Sequence, residues 1–142
     1  MFPFSVLLSL LVLFAPAPEK GKIVIYITNI RSNDGVIAIT IFKGSEGFPS
    51  DGTKAYKKLI VPVAGGKATA VFNDIPYGEY AAIYMHDENK NGKMDFNFIH
   101  IPKEGYGASN DAKASMGPPK YEDAKFTLKQ NTLELTLKTN YF

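Results

Sequence analysis

Apolar residues recur at every second position in several short segments, and this spacing constrains the fold more than any other feature of the chain. In the clearest segment, isoleucines occupy alternate positions from Ile23 to Ile27. A β-strand points successive side chains to opposite faces of its sheet, so a period of two indicates strands with one face in the core. Nowhere does a spacing of three to four residues coincide with helix caps, so the sequence predicts little helix.

Turn residues separate these segments. Ala64-Gly65-Gly66-Lys67 has the composition of a tight hairpin turn, in which glycine supplies positive φ. The strands predicted in this way cover residues 22–28, 36–42, 59–63, 68–72, 79–86, 124–128 and 133–137. Residues 73–78 are expected to form a turn, and the last two strands are expected to pair around residues 129–132. Short strands joined mostly by turns predict an all-β fold, an antiparallel β-sandwich of seven to eight strands. One long irregular region, Asp87–Asp123, interrupts the pattern, and loops of this length are usually functional or packed as a subdomain.

Composition limits the chemistry. The chain has 142 residues, 45% of them hydrophobic, which fits one ordinary domain. It has no Cys, which excludes a disulfide framework and cysteine-based metal or thiol chemistry. Its 16 basic and 14 acidic residues are interleaved, so no nucleic-acid partner is expected.

The N-terminus differs from the rest of the chain. Residues 1–17 carry no charge and contain the apolar run Val6–Phe14, followed by the small residues Ala15-Pro16-Ala17. Such a run suits a signal peptide and is shorter than the roughly 20 residues of a membrane span. We therefore expect a signal peptide at 1–17 and a single domain at 18–142, exported to the periplasm, the cell surface or the extracellular space, with no membrane span once the signal is removed. The alternatives are a buried strand and an anchor that is not removed.

One motif carries possible metal chemistry. Oxygen side chains lie at positions 1, 3, 5 and 9 of a nine-residue loop, as Asp87, Asn89, Asn91 and Asp95. Ca²⁺ prefers oxygen ligands, and the Lys93 carbonyl is suited to supply a fifth. The flanking strands fit the calcium loops found between β-strands better than a helical EF-hand. The alternative is an ordinary turn, because Asn, Asp and Gly also form turns without an ion.

Further polar and aromatic residues follow in the same long region. Tyr106 is a candidate stacking platform for a partner, and Ser109 and Asn110 are candidate hydrogen-bonding groups. Glu104 is a candidate to add a carboxylate to the predicted Ca²⁺ site. The alternative for this segment is a packed loop. His86 beside a carboxylate suggests a proton-transfer pair, although a histidine at a strand end is more often structural.

No nucleophile elbow, phosphate-binding loop or HExxH motif is present, so the sequence favours a non-enzyme.

Three blocks of sequence resemble known proteins. The segment 72–81, FNDIPYGEYA, resembles the signature of transthyretin-like, or prealbumin-like, β-sandwich modules, a group with immunoglobulin-like architecture. The segments 86–95 and 101–110, HDENKNGKMD and IPKEGYGASN, resemble the hallmark blocks of a bacterial exported family, domain of unknown function 2141. The resemblance implies a small exported sandwich domain and no specific activity.

Together these features predict a non-catalytic binding or interaction module whose long loop binds Ca²⁺. Its partner could be a small molecule, a glycan or a protein. Two alternatives stay open. One is a hydrolase that uses His86 with Asp87 or Glu104, and the other is a structural component of the cell envelope.

Overall fold

A computed structural model describes residues 12–16, 19–114 and 117–142. Two β-sheets form the fold. The three-stranded sheet has the order β4-β1-β8, and the five-stranded sheet has the order β3-β2-β5-β6, with β7 also paired to β5. The strands are Lys20–Thr28 (β1), Val36–Phe42 (β2), Lys57–Pro62 (β3), Ala68–Pro76 (β4), Gly78–Asp87 (β5), Gly105–Ala108 (β6), Phe126–Leu128 (β7) and Thr132–Lys138 (β8). The fold is an all-β sandwich, as the sequence predicted.

The main core lies between the inner faces of the two sheets. Ile23, Ile25 and Ile27 of β1 are each fully buried, and the alternate isoleucines of β2 face them from the other sheet. The alternation that predicted the strands is therefore the alternation that builds the core. Within the described ranges, helix is confined to single turns, namely α1 (Tyr121–Ala124) and two 3-10 turns, Gly52–Lys54 and Ser109–Asp111.

The topology departs from the prediction in three places. The strand predicted at 68–72 continues to Pro76, through residues expected to form a turn. The last two predicted strands are not partners, because β7 pairs with β5 and β8 pairs in parallel with β1. Gly105–Ala108 forms β6 within the region predicted to be irregular, because glycines at 105 and 107 leave room for the inward side chains of Tyr141 and Tyr84.

The outward faces of the two sheets differ in chemistry. On the three-stranded sheet, the outward positions of β4 and β8 are mostly polar and exposed, for example Thr69, Glu134 and Thr136. On the five-stranded sheet, the outward positions of β2 and β5 are mostly apolar, for example Ala38 and Met85. The second sheet is therefore apolar on both faces, which is typical of a sheet covered on both sides.

Loops cover one half of this second apolar face. Ala81 and Ala108 of the sheet pack there against Ala112, Tyr121 and Ala124, with the Phe48 ring at the side. We call this half the covered half.

Most of the predicted signal peptide, 1–11 and 17, lies outside the described residues. In the part of the chain that the structure describes, no helix has the length and hydrophobicity to cross a membrane.

Candidate functional site

The loop that begins at Asp87 is closed by its own hydrogen bonds. Asp87 ends β5, and its side chain is 3% exposed. The backbone N–H of Asn91 donates to Asp87 Oδ1 at 3.2 Å, and that of Gly92 donates to Oδ2 at 2.8 Å. Gly92 has φ +79°, a left-handed conformation that favours glycine, so the chain turns sharply at this point.

Asp95 closes the other end of the loop. The side-chain amide of Asn89 donates to Asp95 Oδ2 at 2.7 Å, and that of Asn91 donates to Oδ1 at 2.8 Å. These two bonds, with that from Asn91 the larger cause, hold the pKa of the Asp95 carboxyl below its ordinary value. The amide oxygens accept from backbone N–H groups of the same loop, Asn89 from Asn91 and Asn91 from Lys93.

The predicted cation ligands therefore lie together, but they bond to one another. Among the described residues, no cluster of three or more His, Cys, Asp or Glu side chains is arranged to hold a metal ion. Amide groups that donate to Asp95 present nitrogen, and not oxygen, toward that carboxylate. Ca²⁺ binding at Asp87, Asn89, Asn91, Lys93 and Asp95 stays a prediction.

Glu104 fastens this loop to β6. It is 5% exposed, and its two carboxylate oxygens accept from two backbone N–H groups, that of Glu88 at 2.7 Å and that of Asp95 at 3.0 Å. One buried carboxylate therefore joins both ends of the 87–95 loop to the sheet. Bonds of this kind to an ionised group are stronger than neutral ones.

His86 lies on the inner side of β5, away from its neighbour Asp87. It is fully buried, with Nε2 2.6 Å from the Asp34 carbonyl oxygen and Nδ1 3.0 Å from the Tyr141 hydroxyl. A carbonyl oxygen only accepts, so Nε2 carries a proton, and in the neutral ring Nδ1 accepts from Tyr141. Both ring nitrogens have partners other than a carboxylate. A hydrolase that uses His86 with Asp87 or Glu104 stays a hypothesis.

The C-terminal residues are held beside the end of β5 that carries His86. The Arg31 N–H donates to the Tyr141 hydroxyl at 3.0 Å, and the Arg31 guanidinium lies 4.5 Å from the centre of the Tyr141 ring. Arg31 Nε also donates to Glu88 Oε1 at 2.9 Å. Burial raises the pKa of the Tyr141 phenol above its ordinary value. The next residue, Phe142, stacks on Tyr106 with ring centres 5.7 Å apart.

Two of the predicted binding-loop residues have structural partners in this fold. Ser109 is fully buried, and its hydroxyl accepts from the Ala82 N–H at 2.9 Å and donates to the Ala124 carbonyl. Asn110 donates to the Lys125 carbonyl at 2.8 Å. Tyr106 differs, because its ring is half-buried on the outer face of the sheet and burial raises its pKa.

The uncovered half of the five-stranded sheet forms a cleft of about 870 Å³, which we call the open cleft. One row of paired residues crosses its floor, since Ala38 is opposite both Ile60 and Met85, and Met85 is opposite Tyr106. The side walls come from the 94–102 segment, the Pro-rich segment near 118 and the C-terminus, and include Met94, Phe96, Pro102, Pro118, Pro119 and Phe142.

Sequence reasoning did not identify the open cleft, although the sequence contains a signal for it. In β5 the residues Ala81, Ile83 and Met85 face outward while Tyr80, Ala82 and Tyr84 face inward, so both faces of the strand are apolar. A strand with one solvated face would alternate between apolar and polar residues. The pattern predicts a second covered face without saying what covers it.

Comparison with known proteins supplies the family. A family model described as an uncharacterized protein conserved in bacteria (DUF2141) matches residues 25–136. No curated protein and no solved structure matches the chain. The matched residues run from β1 to β8, and they include the whole 87–95 loop and β6. The chain therefore belongs to the DUF2141 family of bacterial proteins.

Proposed function

We propose that the protein is a non-catalytic binding module, and that it binds the apolar part of a partner in the open cleft. The observation that carries this proposal is the apolar row Ile60, Ala38, Met85 and Tyr106, which crosses four strands on a sheet face that the described loops leave uncovered. Ile60 is 72% exposed at one end of the row.

Physical chemistry favours a binding role for such a surface. Contiguous exposed apolar surface on a soluble domain usually marks an interaction site. Ligand pockets typically enclose about 300–1,000 Å³, lined mainly by apolar and aromatic side chains with a few polar groups. The open cleft, at about 870 Å³, falls in that range. The exposed rings of Phe96 and Phe142 add further apolar surface at its border.

The walls of the open cleft are held in place before any partner arrives. Glu104 fixes the 87–95 loop, and Arg31, His86 and Tyr141 fix the C-terminal end next to Phe142. A site held in this way loses little conformational entropy when a ligand binds. The polar residues predicted to bind a partner thus support the proposal mainly by positioning the apolar ones.

The proposal is tested with the neutral apolar dye N-phenyl-1-naphthylamine, whose fluorescence rises in apolar surroundings. We expect saturable binding with Kd on the order of 1–100 µM, as for a small apolar ligand of this size. Ala38→Phe fills the middle of the floor and should abolish the fluorescence change. Thr69→Phe places the same ring on the outer face of the other sheet and should leave dye binding unchanged. Equal dye binding by the two variants would exclude the open cleft as the site.

Ca²⁺ binding at the 87–95 loop is a separate proposal that the sequence motif supports. Among the proposed ligands, only Asp87 and Asp95 carry a negative charge, so the affinity should be weak, on the order of 10⁻⁴–10⁻³ M. We expect a rise in melting temperature with millimolar Ca²⁺ that Asp95→Asn removes. No rise in the unmodified protein would end this proposal and would leave the binding module untouched.

Export is likewise proposed from the sequence of residues 1–17. Expression of the full chain in a bacterium, followed by N-terminal sequencing of the protein in the periplasmic and culture fractions, tests it. We expect a mature chain that begins near Pro18, and an intact N-terminus in the cytoplasmic fraction alone would contradict the proposal.

A further inference from the structure

We infer that the natural occupant of the open cleft is an anionic amphiphile, that is, a molecule with an apolar chain and a negatively charged head. This inference rests on the proposed function, because it names the class of ligand for the same cleft. It follows from the charges at the border of the cleft, which the apolar floor alone does not explain.

The floor suits a chain. The row from Ile60 to Tyr106 crosses four adjacent strands. Neighbouring strands lie about 4.8 Å apart, so the row is about 14 Å long. The side chains of Met85 on the floor and Met94 on the wall are unbranched and flexible, and such side chains adapt to ligands of variable shape.

Among the described residues that line the cleft, the exposed charged side chains are basic. Lys58 and Lys93 both line the cleft, and both are exposed. Among the residues described, neither is in an ion pair, although Lys58 lies near Asp51 and Lys93 near Asp95. His100 is a third exposed basic group in the lining.

The carboxylate in the lining is buried and hydrogen-bonded. Asp87 is the one carboxylate among the described lining residues, and it is 3% exposed. Both of its oxygens accept from backbone N–H groups, those of Asn91 and Gly92. A ligand in the cleft therefore meets an apolar floor and exposed ammonium groups, an arrangement that attracts an anionic head and disfavours a cationic one.

The experiment compares three ligands that share one ten-carbon chain: decanoate, 1-decanol and decyltrimethylammonium, each below its aggregation concentration. The readout is NMR of ¹³C-labelled methionine methyl groups, because Met85 and Met94 both line the cleft. Displacement of the neutral dye measures affinity in parallel. We expect decanoate to shift both methyl signals and to bind about tenfold more tightly than the cationic ligand.

Charge variants make the test specific. The double variant Lys58→Gln with Lys93→Gln should weaken decanoate about fivefold and leave 1-decanol unchanged. Lys22→Gln, an exposed lysine on β1 of the other sheet, is the control and should change neither. All three substitutions are at exposed side chains, so folding should be preserved.

Two results would overturn the inference, and they have different meanings. If the dye binds but the three ligands compete equally, or the cationic one competes best, the cleft is a binding site and the anionic head is wrong. If neither the dye nor any ligand shifts Met85 and Met94, the proposed function itself fails and the inference fails with it.

Discussion

The outer faces of the two sheets meet different surroundings. On the three-stranded sheet, polar residues such as Thr69 and Thr136 face solvent, and nothing needs to cover them. On the five-stranded sheet the outer face is apolar, with one half covered by α1 and nearby loops and the other half open. Strands that alternate between apolar and polar residues therefore leave one face of their sheet to solvent. Strands that are apolar on both sides indicate that the outer face packs against other segments or binds a partner.

The covered half shows what full burial of this face looks like. The Tyr121 ring lies 5.8 Å from the Phe48 ring, and its hydroxyl donates to Glu79 at 3.0 Å. Burial, and then this hydrogen bond, raise the pKa of Tyr121 to about 12. No described residue covers Ile60 and Met85 of the open cleft in this way, and both side chains keep contact with solvent.

The largest loss of stability should come from removing a ring that packs on the covered half. Tyr121→Ala removes a buried ring and should lower the free energy of unfolding by about 3 kcal/mol, as for other buried aromatic residues. Urea denaturation measures it. Tyr26→Ala, at a ring that is 38% exposed on the other sheet, is the control and should cost about 1 kcal/mol or less. Equal costs would mean that the covered half contributes no core.

A somewhat smaller loss of stability is expected when the hydrogen bond between Ala82 of β5 and Ser109 is removed. Ser109→Ala leaves the buried Ala82 N–H without its partner and should cost about 2 kcal/mol. Hydrogen exchange at Ala82 should quicken more than exchange in β1. Stability within about 0.5 kcal/mol of the parent would show that the bond is dispensable.

The third prediction concerns Glu104, which holds the 87–95 loop beside the open cleft. Glu104→Gln leaves one acceptor oxygen for two N–H groups, those of Glu88 and Asp95, and should cost about 1–2 kcal/mol. Hydrogen exchange should rise in residues 88–95. Glu46→Gln, whose carboxylate is 81% exposed, should have no such effect. Unchanged exchange in the loop would mean that Glu104 does not fasten it.

On the floor of the open cleft, stability and binding should separate. Ile60→Ser changes a side chain that is 72% exposed and should alter the free energy of unfolding by about 0.5 kcal/mol or less. Dye binding should nevertheless weaken, because the apolar row loses one end. A variant that binds the dye as well as the parent would shorten the functional part of the row to Ala38, Met85 and Tyr106.

The smallest effect is a pH dependence confined to the 87–95 loop. The pKa of Asp95 is lowered on folding, so its contribution to stability is present above the unfolded value near 3.8 and is lost as the pH falls through the folded value. NMR signals of the Asn89 and Asn91 side-chain amides should therefore change with a midpoint below pH 3.8. Asp95→Asn should remove this transition, and a midpoint above the unfolded value would contradict the lowered pKa.

The sequence predicted what local spacing controls. Alternation from Ile23 to Ile27 located β1 and its buried face, and the glycine pair at 65 and 66 located a hairpin turn. The polar residues of the 87–95 motif lie together in one loop. Their hydrogen bonds join residues four to six positions apart, so they depend little on the rest of the fold.

Tertiary structure decided the partners that are distant along the chain. The parallel pairing of β8 with β1 joins segments about a hundred residues apart, and no local pattern specifies it. The same holds for His86, whose bonds to Asp34 and Tyr141 depend on the meeting of three separate segments.

By itself, the sequence determined that β5 is apolar on both faces and that the long region after it is rich in polar, turn-forming residues. Only the tertiary structure decided that this region covers half of the outer face and leaves Ile60, Ala38, Met85 and Tyr106 open. The reason is physical: burial of a strand's second face is a property of whatever packs on it, and those packing segments lie far away along the chain.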